Sequence, residues 1–294
     1  MGRITKAIAT DGSVMVMAID STDIVGRAEY THKTSAVTTA ALGRLLSAAS
    51  LMGSTLKGEN ETLTVRMKGD GPAGAVIAVA DSIGNVKGYV QNSIVEIPLN
   101  QHGKLDVSGA VGKEGSLTVI KDLGLKEPQT GQVPIVSGEI GDDITYYFAQ
   151  SEQIPTVCAL GVLVNTDLTV ICAGGFIAQL LPGADESSID KLEANIKSLD
   201  SVTNMMQAGL SEKDICLKVL DGFEPQILDS FDVLYKCDCT RDRVEKALVS
   251  MGKDDLYTIL TEDKQAEVCC DFCGKRYRFN EQELQTLYDN ATKK

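Results

Sequence analysis

Two close cysteine pairs restrict this chain more tightly than any other feature. Cys237 and Cys239 form CxC in KCDCT, and Cys270 and Cys273 form CxxC in CCDFCGK, with 30 residues between Cys239 and Cys270. Four thiols divided in this way can meet only if the intervening segment folds back on itself. In a zinc knuckle a tight turn points two thiolates at one metal, and a glycine after the second cysteine, here Gly274, supplies the left-handed backbone of that turn. A CxC pair reaches the same ion through a tighter chelate.

The spacer shows how it folds back. Thr240 is placed to cap a helix through Val244, Ala247, Leu248 and Met251 that stops at Gly252, and a second helix follows through Leu256, Ile259 and Leu260. The segments AEV and KRYRF suit a hairpin around the knuckle, and Asn280 with Glu283 opens a last helix with a capping box. The reading is a four-thiolate zinc site inside a module of about 60 residues, a size that buries too little surface to be secure alone. A structural zinc contributes about 10–16 kcal/mol of apparent folding free energy, so metal and fold are expected to form one equilibrium. Four thiolates leave zinc no open position, which argues against a catalytic, water-activating metal. Lys236, Arg241, Arg243, Lys275, Arg276 and Arg278 are expected to offset the charge of about −2 on zinc with four thiolates.

The other cysteines read differently. Cys158 and Cys172 lie in the apolar runs IPTVCALGVLV and LTVICAGGFIAQLL, and Cys216 falls among the apolar positions of a helix, so all three are expected to be small buried hydrophobes. Cys269 adjoins Cys270 but stands outside the four-cysteine pattern. The first twenty residues hold no unbroken apolar core of signal-peptide length, and no later stretch approaches the roughly 20 apolar residues of a bilayer span. A soluble, cytoplasmic chain is therefore expected, and in a reducing cytosol a cysteine cluster is a metal or redox site more often than a disulfide framework.

The net charge of −13 argues against nucleic acid and anionic membranes as partners, since each requires a basic face that displaces counterions. Residues 1–180 carry −5 of it and residues 181–294 carry −8, so acidic density rises after Leu180. In the N-terminal part, SVMVMAID (13–20), ETLTVRMK (61–68), GAVIAVAD (74–81), NVKGYVQ (85–91) and GSLTVIKD (115–122) are β-branched runs separated by turn residues. Among them lies a helix over 34–56 with one apolar stripe, Val37, Ala41, Leu45, Ala48 and Met52. Strands and helices that do not alternate regularly predict an α+β fold.

GDGPAG (69–74) fits GxGxxG but connects two strands, so it reads as a hairpin turn using glycine's freedom at positive φ rather than as a nucleotide loop. His32 and His102 are distant from each other and from any cysteine, and read as ordinary surface or turn histidines. No nucleophile, base and orienting group assemble, so no enzyme and no organic cofactor is expected. After Pro182 and Gly183, residues 185–222 show short amphipathic helices with Gly209 and Gly222 as stops. They are either permanently packed on the sheet domain or a conditional linker, because short helices depend on docking for stability. The expected organisation is an α+β domain over 1–180, a helical linker over 181–230 and a zinc-binding redox domain over 231–294.

ALGRLLSAASLMG (41–53), MKGDGPAGAV (67–76), GGFIAQLLPGA (174–184) and above all the CxC and CxxC pairs with their long spacer resemble the redox-regulated heat-shock chaperones of the thirty-three-kilodalton class. The resemblance runs nearly the full length and implies an ATP-independent holdase, inactive when reduced and zinc-bound. It implies Cys237, Cys239, Cys270 and Cys273 as zinc ligands, which on oxidation pair Cys237 with Cys239 and Cys270 with Cys273. Zinc is then released, the redox domain and the linker unfold, and unfolding client proteins are held, often by a homodimer. Each such disulfide closes a loop of only three or four residues, worth roughly 2 kcal/mol, far below the zinc term, so oxidation should unfold the module. Cys269 could divert one of these pairings. Two other classes compete. A zinc-ribbon nucleic-acid binder would need a basic face, and a thiol-disulfide oxidoreductase would set its CxxC between a strand and a helix rather than inside a hairpin.

Overall fold

The β-branched runs fold as antiparallel strands in a computed structural model that describes residues 1–292. Its first compact unit, Met1–Lys236, holds two five-stranded sheets. Numbered along the chain, β1 (Gly2–Ala9), β2 (Val14–Asp20), β8 (Thr156–Val164), β9 (Val170–Leu180) and β10 (Pro225–Val233) make the first, in the order β10-β1-β2-β9-β8. The second contains β3 (Thr62–Lys68), β4 (Ala75–Asp81), β5 (Val86–Val90), β6 (Ser116–Asp122) and β7 (Gln129–Pro134), in the order β5-β4-β3-β6-β7. Sheets and unevenly interspersed helices make this an α+β protein.

Helices α1 (Thr22–His32) and α2 (Ala36–Gly53) follow β2, and the short α3 (Val107–Val111) and α4 (Gly141–Tyr147) flank the second sheet's last strands. The sequence shows a single apolar stripe on α2, yet every residue from Val37 to Gly53 except Arg44 is buried. The reason is its position: α2 packs on β3, β4 and β5 of one sheet and on β8 and β9 of the other. Glycine permits that closeness, since a Cβ on Gly43 would stand 2.9 Å from Val162 Cγ2 on β8 and one on Gly53 2.6 Å from Ala80 Cβ on β4. Among the described residues α2 is the one helix long and apolar enough to cross a bilayer, and 89% of it lies inside the protein.

The GDGPAG turn does join β3 to β4, but its glycines answer to packing more than to φ. Only Gly74 has positive φ (+68°). A Cβ on Gly69 or Gly71 would lie 2.2 Å from the Val111 carbonyl oxygen or 2.4 Å from that of Ala110, so these two exist to let the end of α3 approach. His102 is exposed as expected. His32 differs: it is partly buried, with Nε2 3.0 Å from the Tyr235 hydroxyl.

Residues 185–222 form α5 (Glu186–Ser198), α6 (Val202–Gln207) and α7 (Glu212–Val219), each opened by a capping side chain, from Asp185, Ser201 and Ser211. Their apolar sides, including Leu192, Met205, Ile215 and Val219, cover a face of the first sheet made of Ala7, Val16, Ala18 and Phe176. The following stretch is not helical. Pro225–Val233 forms β10, antiparallel to β1, so the two compact units divide between Lys236 and Cys237 rather than at 230.

The second unit contains α8 (Arg241–Ser250), α9 (Lys253–Thr258), a wide π turn over Ile259–Asp263, the hairpin β11 (Gln265–Cys269) and β12 (Arg276–Asn280), and α10 (Glu281–Thr292). Thr240 accepts the Arg243 N–H at 3.3 Å, as a cap should. Asn280 and Glu283 exchange the capping-box hydrogen bonds at 2.9 and 3.0 Å. Its core is small: Val244, Leu248, Leu256, Leu260, Tyr277, Phe279 and Leu284.

Candidate metal centre

The β11–β12 hairpin turns at the second cysteine pair. Gly274 N–H donates to the Cys270 carbonyl at 2.8 Å, and Cys270 N–H to that of Lys275 at 2.9 Å. Gly274 sits at φ +70°, the left-handed conformation that closes this knuckle at least strain. The first pair lies in the irregular segment entering α8, whose cap at Thr240 fixes where the helix begins.

All four sulfurs, of Cys237, Cys239, Cys270 and Cys273, lie within 4.8 Å of one another. Cys237 Sγ is 3.7 Å from Cys270 Sγ, and Cys239 Sγ is 3.4 Å from Cys273 Sγ. A tetrahedral zinc with bonds of about 2.3 Å needs sulfurs about 3.8 Å apart, so the donor set and its spacing fit that ion. The short contacts join one clamp to the other, as the edges of a closed cage do. The four residues could hold one metal ion and would leave it no site for a substrate.

The sulfurs are electrostatically unequal. Burial pushes the thiols of Cys237 and Cys273 up, and their neighbouring cysteines hold them there. Burial also opposes ionisation of Cys239, but the Tyr277 hydroxyl and the three other cysteines outweigh it and bring Cys239 down to about 7. The single Tyr277 hydroxyl proton lies between two acceptors on Cys239, the carbonyl oxygen at 3.0 Å and Sγ at 3.2 Å. That bond, followed by burial, pushes Tyr277 up to about 12. The thiolate is the form that binds metal and reacts, and Tyr277 favours it at Cys239. Tyr277 was not singled out from the sequence; alternation in KRYRF marks it as inward-facing, but not what its hydroxyl meets.

The expected cationic surround is largely committed elsewhere. Arg276 and Arg278 pair with Glu267 at 2.9 and 2.7 Å, Arg241 with Glu283 at 2.7 Å, and Arg243 with Asp238. Lys275 lies over the Tyr277 ring, 5.0 Å from its centre. Cys269 is exposed on β11 and outside the cluster. Cys158, Cys172 and Cys216 are buried, and burial raises all three thiols; Cys216, pushed up to about 12, donates to the Thr5 carbonyl at 3.5 Å.

Comparison with known proteins finds relatives over nearly the whole chain. A family profile described as Hsp33 protein matches residues 2–280. A 33 kDa chaperonin of Clostridioides difficile is 51% identical over 281 residues, covering 96% of each chain, and one of Alkaliphilus metalliredigens is 46% identical over 287 residues, covering 98% of each. The crystal structure of a 33 kDa chaperonin (heat shock protein 33 homolog) from Thermotoga maritima superposes with a TM-score of 0.89 at 36% identity, covering 99% of both chains.

Proposed function

The chain belongs to the Hsp33 family and is a chaperone, and on that premise we propose that it is a redox-regulated, ATP-independent holdase of the cytoplasm, switched by Zn2+ at Cys237, Cys239, Cys270 and Cys273. In the reduced state the four thiolates hold zinc and keep the module folded. A peroxide then oxidises Cys237 with Cys239 and Cys270 with Cys273: in each pair two thiolates form one S–S bond, and the two electrons reduce one peroxide, with two protons, to water. With both pairs joined, Cys237, Cys239, Cys270 and Cys273 would no longer be thiolates able to hold the ion. Two short disulfide loops contribute roughly 4 kcal/mol between them, against about 10–16 kcal/mol for the metal, so the module melts.

Melting would next reach residues 181–230. Helices α5, α6 and α7 have 13, 6 and 8 residues, at or below the length at which isolated helices persist, so their stability is their docking on the first sheet. Undocked, they bare the Ala7, Val16, Ala18 and Phe176 face together with their own apolar sides, an apolar surface fit for unfolding clients and for a second copy of the chain. The acidic chain offers nothing comparable to nucleic acid or anionic lipid.

The observation that carries this reading is the cluster of four sulfurs within 4.8 Å of one another in a unit with so small a core. The test measures zinc content, free thiols and suppression of citrate synthase aggregation before and after peroxide under mild heating. Loss of zinc and four thiols together with gain of protection is expected; equal activity in both states would sink the switch.

A further inference from the structure

Three residues separate the end of β10 from Cys237, and they are fastened to the other sheet. Leu234 N–H donates to Asn85 Oδ1 at 3.0 Å, Val86 N–H to the Leu234 carbonyl at 2.9 Å, and Lys236 N–H to the Val86 carbonyl at 2.9 Å. The segment thus lies parallel along β5, bridged at Val86 and Tyr235. The Tyr235 hydroxyl donates to the Gly88 carbonyl at 2.8 Å and stands 3.0 Å from His32 Nε2. A phenol has one proton, and here Gly88 takes it, so the short contact to His32 is satisfied by an Nε2–H donated from the imidazole. Gly88 cannot be replaced to suit, because a Cβ there would meet the Ile77 carbonyl oxygen at 2.5 Å.

Residues 225–236 therefore cross from the edge of the first sheet, where β10 pairs with β1, to the edge of the second. Unfolding that starts in the metal module and runs back along the chain meets this fastening before it meets β10 or α5–α7. We propose that Leu234–Lys236, clasped by Tyr235 and His32, is the stop that lets the module melt while the linker stays docked, and that must open before melting that begins in the module can release the linker. The proposal rests on the switch described above. Tyr235 and His32 act as positioning residues that separate loss of metal from exposure of the client-binding face.

The test is hydrogen exchange on the full-length protein, zinc-loaded and after chelation, for the parent, Tyr235→Phe, His32→Gln and His32→Leu. Tyr235→Phe keeps the ring and removes the hydroxyl. In the zinc-loaded state it should bind zinc like the parent. After chelation, amides of 225–233 and of Val86 should exchange roughly thirtyfold faster than in the chelated parent, the scale of the two short hydrogen bonds the hydroxyl makes at about 1 kcal/mol each. Client protection should then begin at a lower temperature. His32→Gln, whose side-chain amide still donates, should resemble the parent, and His32→Leu, which loses one of the two bonds, should speed exchange roughly fivefold, less than Tyr235→Phe. The clasp is refuted if β10 exchange is unchanged in Tyr235→Phe, or if β3 and β4 loosen just as much, which would mark a general loss of stability. A parent protein whose residues after 236 stay protected on chelation would overturn the switch itself, and the clasp with it.

Discussion

Ile215→Ala would loosen the linker while leaving the metal centre alone. Ile215 is completely buried on α7, in the cluster that joins the linker helices to the first sheet, and its neighbours there include small residues fixed on strands that cannot close around a gap. Truncating a buried Ile to Ala costs about 2–5 kcal/mol. The helices it serves are too short to hold without docking, so the cost falls on docking and corresponds to roughly 30-fold to several thousand-fold in the docked-to-free ratio. The reduced, zinc-loaded variant should show faster hydrogen exchange across 186–219 and suppress client aggregation without peroxide, with zinc content unchanged. If exchange in α5–α7 rises no more than in β3 and β4, the linker is not a separately dockable element. If exchange rises and aggregation suppression still requires oxidation, undocking is not the activating event.

Cys273→Ser should abolish tight zinc binding and leave residues after 236 sensitive to protease at saturating zinc, while Met1–Lys236 stays resistant; a protected C-terminal fragment would contradict the coupling of metal to fold. Gly274→Ala faces open space, so its only penalty is the left-handed φ of +70°, about 1 kcal/mol, and apparent zinc affinity by chelator competition should fall about fivefold. Glu152 is opposed by burial, yet Lys121 at 2.7 Å and the Tyr147 hydroxyl hold its carboxyl below the usual 4.5. A carboxyl lowered on folding stabilises above 4.5, and that contribution is lost as pH falls through its folded value. Glu152→Gln should therefore cost about 1 kcal/mol in denaturant melts at pH 7 and progressively less below pH 4.5; a gap that does not change with pH would disprove the ion pair's role.

The candidate site was legible because its signals are local. The CxC and CxxC spacings, Gly274 after the knuckle, the Thr240 cap and the Asn280–Glu283 box each act within a few residues, and the structure brings all four cysteines into one cage by way of the predicted helices and hairpin. The same locality made the five strand runs and the helices of 185–222 readable. Period and capping hold wherever the element ends up.

Other features depend on partners far along the chain. PQILDSFDV becomes a strand only because β1, more than two hundred residues earlier, presents an edge to it. A one-sided stripe on α2 became burial on every side because two sheets close over it, which no period within the helix can announce. Tyr277 meeting Cys239, and Tyr235 meeting Gly88 and His32, likewise join residues that only the folded chain makes neighbours. By itself the sequence determined which residues could hold a metal ion and which segments could be helix or strand, since those follow from donor atoms and short-range geometry. The tertiary structure decided what the linker covers and where it is fastened, because both are properties of surfaces assembled from separate stretches of chain.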